Sequence, residues 1–128
     1  MEDAFGCELC WPAEAEEAWA ARLTLKQEIQ IIDESHFHVM VLRCPSCSQQ
    51  FLSIFTESID WEDGEDPMYW TTLPILASEA RILAQGNLVS ENEFNSIGSD
   101  RRSLRRDFPK DFPKRTYWGI GIRVGVHD

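Results

Sequence analysis

Residues 36–52, HFHVMVLRCPSCSQQFL, are typical of a β-strand, a tight turn and a second β-strand. Alternating apolar residues lead into the Cys-Pro-Ser-Cys turn, and a largely apolar run follows it. Cys44 and Cys47 therefore lie on one compact loop, which Pro45 stiffens before any ligand binds. We expect the rest of the chain to fold around this hairpin.

The start of the chain supplies a matching cysteine pair in the sequence FGCELCW. Two Cys-x-x-Cys pairs separated by a few dozen residues are typical of a site in which four thiolates bind one zinc ion. The chain has 4 cysteines, so the two pairs use all of them. We predict a single structural zinc ion bound by Cys7, Cys10, Cys44 and Cys47.

Other interpretations of these residues stay open. Cys7 and Cys10 precede a helical pattern and would suit a dithiol oxidoreductase, although too few residues come before them for the strand of a βαβ unit. The four thiols would also suit an iron–sulfur cluster. A further alternative is that they are plain buried thiols that bind no metal. His36 and His38, on the strand before the turn, are alternative ligands to one of the cysteines.

The segments next to the cysteine pairs predict a helix and a sheet. Pro12, the glutamates after it and a closing arginine predict a helix over about 12–22, with Cys10 beside its positive end. Residues 27–74 predict a three- or four-stranded antiparallel meander, in which the strand after the second cysteine pair is central and runs on through Trp61.

The next part of the chain predicts short helices. Ser78 is placed to cap a helix that ends at Gly86, and residues 90–93, Ser-Glu-Asn-Glu, form a capping box for a second helix that ends at Gly98. A third helical turn is expected over 100–104. The tandem Asp-Phe-Pro-Lys sequence that follows excludes a helix, because each proline removes a backbone donor.

Residues 117–127, YWGIGIRVGVH, alternate as a strand. Trp118, Ile120, Ile122 and Val124 share one face, and the glycines of the other face allow a backbone or an aromatic ring to approach closely. The predicted fold is thus α+β, a small antiparallel sheet of three to five strands with short helices. We expect one domain over 1–128, with the metal site in 1–75 and a helical segment and last strand in 76–128.

The cysteine pairs and the strand–CPSC–strand pattern resemble the zinc-ribbon class, in which two Cys-x-x-Cys knuckles carried by β-hairpins clamp one metal ion. The resemblance covers about the first 75 residues and no specific family is recognised over the whole chain. Trp11 and Ser48 stand where knuckles of that class commonly have glycine, and the first pair opens a helix rather than turning a hairpin.

Charge is unevenly distributed along the chain, whose formal net charge is −10. Residues 1–100 hold 19 acidic and 4 basic side chains, a net of −15, whereas residues 101–128 hold 3 acidic and 8 basic ones, a net of +5. Phosphate backbones are bound by neutralising them with lysine and arginine, so this balance opposes nucleic acid. A protein partner, itself basic, fits the charge better.

Residues 101–123 nevertheless combine basic and aromatic side chains, a combination that suits single-stranded nucleic acid. Charge pairing within the protein and contact with a partner protein are the alternatives. The candidate partner-binding residues are Arg101, Arg102, Arg105, Arg106, Phe108, Phe112 and Trp118.

The acidic stretch over 60–66 is typical of a solvated hairpin tip, with partner contact as the alternative. A calcium loop with Gly64 in its sixth position would need Ile59 as its first ligand, so the register excludes one.

The sequence contains no Gly-x-Ser-x-Gly elbow, P-loop or His-Glu-x-x-His pattern. A zinc ion held by four thiolates has no open position for water, so it cannot catalyse hydrolysis.

The chain has no secretory signal pattern and no apolar run near 20 residues, so we expect a cytosolic protein with reduced thiols. We predict a non-catalytic interaction module of regulator, adaptor or inhibitor type. A nucleic-acid-associated zinc protein using 101–123 and a dithiol oxidoreductase using Cys7 and Cys10 are the alternatives.

Overall fold

A computed structural model describes residues 5–85 and 96–124 of the 128-residue chain. In this part of the chain, six antiparallel strands follow one another across a single sheet in the order β1-β2-β3-β4-β5-β6, with two short helices. The elements are α1 (Ala15–Arg22), β1 (Lys26–Glu34), β2 (Phe37–Arg43), β3 (Gln50–Glu57), β4 (Met68–Ile75), α2 (Ala77–Ala84), β5 (Arg102–Phe108) and β6 (Arg115–Ile120).

The first four strands form the predicted meander. Strand β3 is apolar on both faces, because it lies between β2 and β4 and is covered above and below. Its run ends earlier than predicted, at Glu57, and Trp61 lies in the following loop with 88% of its surface exposed.

The sheet has two covered faces. The face that we call the α2 face carries the main core, in which Val39, Leu52 and Leu73 pack against Ala80 and Leu83 of α2. The other, the α1 face, lies under the first cysteine loop and under α1, which packs against β5 and β6. This second layer joins the two cysteine loops to the sheet.

The prediction of three to five strands was too low, because the segment after residue 100 also forms a strand. Residues 102–108 were expected to begin as a helical turn, yet they pair with β4 on one side and β6 on the other. The two prolines that follow lie outside the ladder, in the β5–β6 loop, where the missing N–H groups interrupt no strand pairing.

The two described helices differ in detail from the predicted ones. Helix α1 begins at Ala15 rather than at residue 12, because residues 7–11 are still part of the cysteine loop, in which Trp11 N–H donates to the Cys7 carbonyl at 2.8 Å. In α2, Ser78 lies inside the helix. The Glu79 carboxylate accepts from Leu76 N–H at 2.7 Å and so caps its start.

The last strand is shorter than predicted. Gly121 takes a φ of +70°, which ends β6 and reverses the alternation, so Ile122 and Val124 pack on the α2 face while Trp118 packs on the α1 face. The backbone of Ser99 approaches Gly121, as the glycine pattern predicts, but an arginine side chain (Arg105) rather than an aromatic ring covers Gly119.

Several predictions fall on residues outside the described ones. These are the helix end at Gly86, the capping box at 90–93 and the strand beyond residue 124. Gly98 has a φ of +58°, the positive value expected for a glycine that follows a helix. Most of the helix predicted before Gly98 lies outside the described residues.

Candidate metal centre

The four cysteines lie on two loops that meet at one end of the sheet. Cys7 and Cys10 are in the loop that enters α1, and Cys44 and Cys47 are in the β2–β3 loop. One ligand atom from each cysteine lies within 4.8 Å of all the others. The sequence predicts this cluster correctly, with all four members.

The distances between the sulfur atoms fit one tetrahedral ion. Four sulfurs about 2.3 Å from a central metal lie about 3.8 Å from one another. The observed Sγ···Sγ distances are 3.7 Å for Cys7–Cys10, 3.9 Å for Cys7–Cys44 and 3.7 Å for Cys10–Cys47. A disulfide would need about 2.05 Å, and all four cysteines are free thiols. Sulfurs this close leave room for a single ion, but not for an iron–sulfur cluster of several metal atoms.

The four thiols differ in burial and in acidity. Cys10 and Cys44 are each only 2% exposed, Cys7 is half-buried and Cys47 is exposed. Backbone N–H groups of Cys10 and Leu9 lower the pKa of Cys7 from 9.0 to about 7, whereas burial raises the pKa of Cys10 and of Cys47. The prediction that Cys10 lies beside the positive end of a helix is wrong, because α1 begins only at Ala15.

The chemistry of the four thiols suits a bound cation. Burial disfavours thiolates at Cys10 and Cys47, and a bound divalent ion deprotonates coordinating thiols outright. Four mutually facing sulfurs at tetrahedral spacing, those of Cys10 and Cys44 buried, therefore fit a metal ion better than they fit plain apolar packing.

Gln49, which the sequence reasoning missed, joins the two cysteine loops. Its side-chain Oε1 accepts from Gly6 N–H at 3.0 Å, and its Nε2 donates to the carbonyls of Gln50 at 2.8 Å and Ile75 at 2.9 Å. The amide thus holds the amino-terminal loop against the β2–β3 loop and the end of β4. Its position just after the second cysteine pair was the only sequence signal for this role.

Two backbone positions shape the loops. Gly6 has a φ of +70°, and a Cβ there would lie 2.7 Å from Trp11 Cβ and 3.0 Å from Cys10 Sγ, so only glycine fits. In the second loop Ser48 has a φ of +67°, a left-handed conformation that favours glycine. The loop has this geometry with a serine at that position.

An aromatic stack fastens the first cysteine loop to the α1 face. The ring of Trp11 lies 5.2 Å from Phe51 and 5.0 Å from Trp118. Trp118 Nε1 donates to the Ala13 carbonyl at 2.9 Å, and the guanidinium of Arg102 lies 4.0 Å above the Trp118 ring. Both predicted partner-binding residues in this stack, Arg102 and Trp118, thus contact the residues that carry the metal site.

The two histidines of the β2 region do not join the cysteine cluster. His36 Nδ1 lies 3.2 Å from Glu57 and His38 Nδ1 lies 3.1 Å from Asp33. Among the described residues, the candidate ligands are therefore the four cysteines.

The basic side chains of 101–123 largely contact the protein itself. Arg101 pairs with Glu79 at 2.8 Å, Arg106 stacks on Trp19 and Phe108, and Arg105 donates to the Ile120 carbonyl. Phe112 is different, since it is 72% exposed in the β5–β6 loop.

Asp107 is a buried acid whose carboxylate contacts two arginines and one tyrosine hydroxyl. The residue is 4% exposed, and its carboxylate accepts from Arg123 at 2.7 Å and from Tyr117 Oη–H at 2.9 Å, with Arg115 at 3.4 Å. Burial raises its pKa, but these donors and the positive charges outweigh burial and hold the pKa of Asp107 below its ordinary value.

No family model matches the chain, and no curated protein or solved structure matches it either. Neither described helix is long and apolar enough to cross a lipid bilayer.

Proposed function

We propose that the chain is a cytosolic zinc protein whose single ion, bound by Cys7, Cys10, Cys44 and Cys47, is structural, and that it acts as a non-catalytic protein-interaction module. The observation that carries the proposal is the tetrahedral spacing of the four sulfurs, 3.7–3.9 Å in three pairs. Zinc is the metal that prefers this donor set, in which four thiolates leave no coordination position for water or substrate.

Zinc in this site would connect two parts of the molecule. Cys7 and Cys10 lie on the loop that leads into α1 and that contributes Trp11 to the aromatic stack. Cys44 and Cys47 lie on the β2–β3 hairpin at the centre of the sheet. The ion would therefore fix how the α1 layer lies on the sheet, which is a structural task. Reduced cytosolic thiols would be available for it.

An interaction role is favoured over a redox role by the same geometry. Cys7 and Cys10 lie 3.7 Å apart, but Cys44 and Cys47 complete the cluster around them, so the pair does not stand alone as a dithiol. A regulator, adaptor or inhibitor works by presenting surfaces, and a fixed α1 layer would keep such surfaces in one shape.

The metal part is tested by native mass spectrometry after purification without added metal. We expect one zinc per chain in the wild type, none in Cys44→Ser, and one in Ser46→Ala, an exposed serine of the same loop. An apoprotein mass for the wild type would overturn the zinc assignment. Insulin reduction by the wild type, lost in Cys7→Ser and kept in Cys44→Ser, would instead support a dithiol oxidoreductase.

The interaction part is tested by affinity capture from the source cell. A basic partner protein retained by the wild type and by Ser46→Ala supports the proposal, and the capture of no protein contradicts it. Salt-sensitive capture of single-stranded nucleic acid would support the alternative that uses residues 101–123.

A further inference from the structure

Two loops meet at the end of the sheet that lies away from the cysteines. Because the strands alternate in direction, the β3–β4 loop (58–67) and the β5–β6 loop (109–114) both emerge opposite the β2–β3 loop. Lys110 Nζ joins them, with contacts of 3.1 Å to Asp60 and 3.0 Å to Asp63. The two loops thus form one surface.

The acidic loop of this surface has a fixed conformation. The Asp60 carboxylate accepts from the backbone N–H groups of Glu62, Asp63 and Glu65, and Asp60 N–H donates to Asp66 at 2.8 Å. Burial raises the pKa of Asp60, but the Lys110 and backbone donors outweigh burial and hold that pKa below its ordinary value. The carboxylate stays charged and the loop is organised before any partner arrives.

A groove of about 570 Å³ runs between the two loops. The ring of Phe108 packs against Trp70, with the ring centroids 5.2 Å apart, so an aromatic pair forms the floor of the groove. Phe112 stands at the rim with 72% of its surface exposed, a large apolar side chain that nothing in the described part of the chain covers. The apolar lining consists of Met68, Phe108, Pro109 and Phe112.

The polar lining of the groove is acidic. Glu65, Asp66 and Asp111 line it together with one amine, that of Lys114, which lies 4.4 Å above the Phe108 ring. Across residues 5–85 and 96–124, none of these three carboxylates makes an ion pair. Three carboxylates and one amine leave the groove with two negative charges.

We propose that this groove, which we call the Phe112 groove, docks a basic segment of a partner protein. An apolar side chain of that segment would lie against Phe112 and Phe108, and a neighbouring lysine or arginine would face Glu65 and Asp111. The proposal rests on the interaction role proposed above and names the surface that performs it. The charge of the groove favours a basic protein over nucleic acid, whose phosphates it repels.

The preformed groove would also lower the cost of binding. Its floor and acidic wall are already ordered by the Phe108–Trp70 contact and by the Asp60 hydrogen bonds, so little entropy is lost in arranging them. Phe112 is then the expected anchor, because removing an aromatic side chain at the centre of an interface commonly weakens binding most.

The test uses the full chain, purified without added metal, and NMR titration of its backbone amides. The probe is a capped peptide of about six residues that alternates arginine and leucine, with a glutamate–leucine peptide and a thymidine oligonucleotide as comparisons. We expect saturable shifts, confined to residues 65–68 and 108–114, with millimolar basic peptide only.

Matched variants identify the groove. Phe112→Ala should weaken binding about tenfold and the double variant Glu65→Gln, Asp111→Asn about threefold at low salt. The controls Ile82→Ala, an exposed apolar residue of α2, and Glu17→Gln, an exposed acid of α1, should bind as the wild type does.

Several outcomes would overturn the Phe112 groove. These are the absence of shifts at its amides, equal weakening by the control variants, equal binding of the acidic peptide, preference for the oligonucleotide, or shifts that follow protein concentration because a second copy fills the groove. The zinc content of the same sample separates the two proposals. One zinc per chain with no peptide binding removes the groove alone, whereas a chain without zinc removes the structural role of the metal.

Discussion

Gly6 N–H donates a hydrogen bond of 3.0 Å to the side chain of Gln49, 43 residues further along the chain. This bond links the loop that carries Cys7 and Cys10 to the loop that carries Cys44 and Cys47. The same amide donates to the Ile75 carbonyl, so the cysteine cluster and the end of β4 share one polar connection. The site is therefore held by a protein contact as well as by any metal.

Replacing Gln49 should weaken both the fold and the metal site. We expect Gln49→Ala to lower the free energy of unfolding by about 2 kcal/mol, since it leaves the Gly6 N–H and the Ile75 carbonyl without their partner. Urea unfolding of the zinc-saturated protein measures this change, and competition with a chromophoric chelator measures the expected loss of zinc affinity.

Two further variants make the Gln49 prediction specific. Gln49→Glu keeps the acceptor for Gly6 but cannot donate to Ile75, so it should also destabilise the protein. Gln27→Ala, at an exposed position of β1, should change the stability by no more than about 0.5 kcal/mol. Equal effects of Gln49→Ala and Gln27→Ala would contradict the role assigned to Gln49.

Ser48 is held at a φ of +67°, a conformation that costs a residue with a Cβ about 1–2 kcal/mol. Glycine removes this strain but loses more conformational entropy on folding, about 0.5–1 kcal/mol. Because the strain costs more than the entropy, Ser48→Gly should stabilise the protein by about 0.5–1 kcal/mol. Thermal unfolding checks it, and Ser46→Gly, at a position without positive φ, should be neutral or destabilising. A loss of stability in Ser48→Gly would refute the strain argument.

The sequence predicted the strands whose apolar residues alternate clearly. Val39 and Val41 share one face of β2, and both are fully buried in the core of the α2 face. Turn chemistry and cysteine spacing similarly predicted the four-sulfur cluster, because a Cys-x-x-Cys turn brings two ligands together locally. The strand alternation and each cysteine pair depend on neighbours in sequence, and the preference of zinc for four thiolates predicted that the two pairs meet.

Strand β5 was missed because one of its partners, β4, is distant in sequence and its own residues carry no clear strand pattern. It is rich in arginine, and the side chains of Arg102 and Arg106 lie over tryptophan rings from the first cysteine loop and α1. Pairing with β4 and β6 makes the segment a strand, although its composition shows little apolar periodicity. The hydrogen bond between Gly6 and Gln49 was hidden for the same reason.

Asp107 predicts a stability that depends on pH. Its pKa in the folded protein lies below the ordinary value of 3.8, so its contribution is present above about pH 4 and is lost as the pH falls through the lower, folded pKa. Asp107→Asn leaves Arg123 without its buried carboxylate and should cost about 3 kcal/mol at pH 7.

The pH profile distinguishes this ion pair from general acid unfolding. The stability difference between the wild type and Asp107→Asn should be constant from about pH 5 to 7. It should shrink as the pH falls from about 4 through the lower pKa of the folded protein, because the unfolded chain binds the proton at Asp107 first. Urea unfolding at each pH measures it. The control Asp33→Asn, whose carboxylate is exposed, should show a small difference throughout. A constant difference down to about pH 2 would contradict the assignment.

Removal of the metal should loosen the α1 layer and leave the central sheet folded. The core of the α2 face contains no cysteine, and it joins β2, β3, β4 and α2 through apolar contacts that do not pass through the metal site. A chain of 128 residues buries enough surface to keep such a core without metal. The residues around Cys10 and Trp11, by contrast, form a separate cluster that includes the ligands themselves.

Hydrogen exchange with and without a strong chelator tests this division. We expect amides of residues 7–22 to lose protection, while those of Val41 and Leu52 in the central strands exchange as slowly as before. Cys44→Ser should reproduce the chelated pattern, because three ligands cannot close the cluster. Uniform loss of protection across β2 to β4 would mean that the metal maintains the whole fold, whereas unchanged protection at residues 7–22 would mean that Gln49 and the Trp11 stack suffice without it.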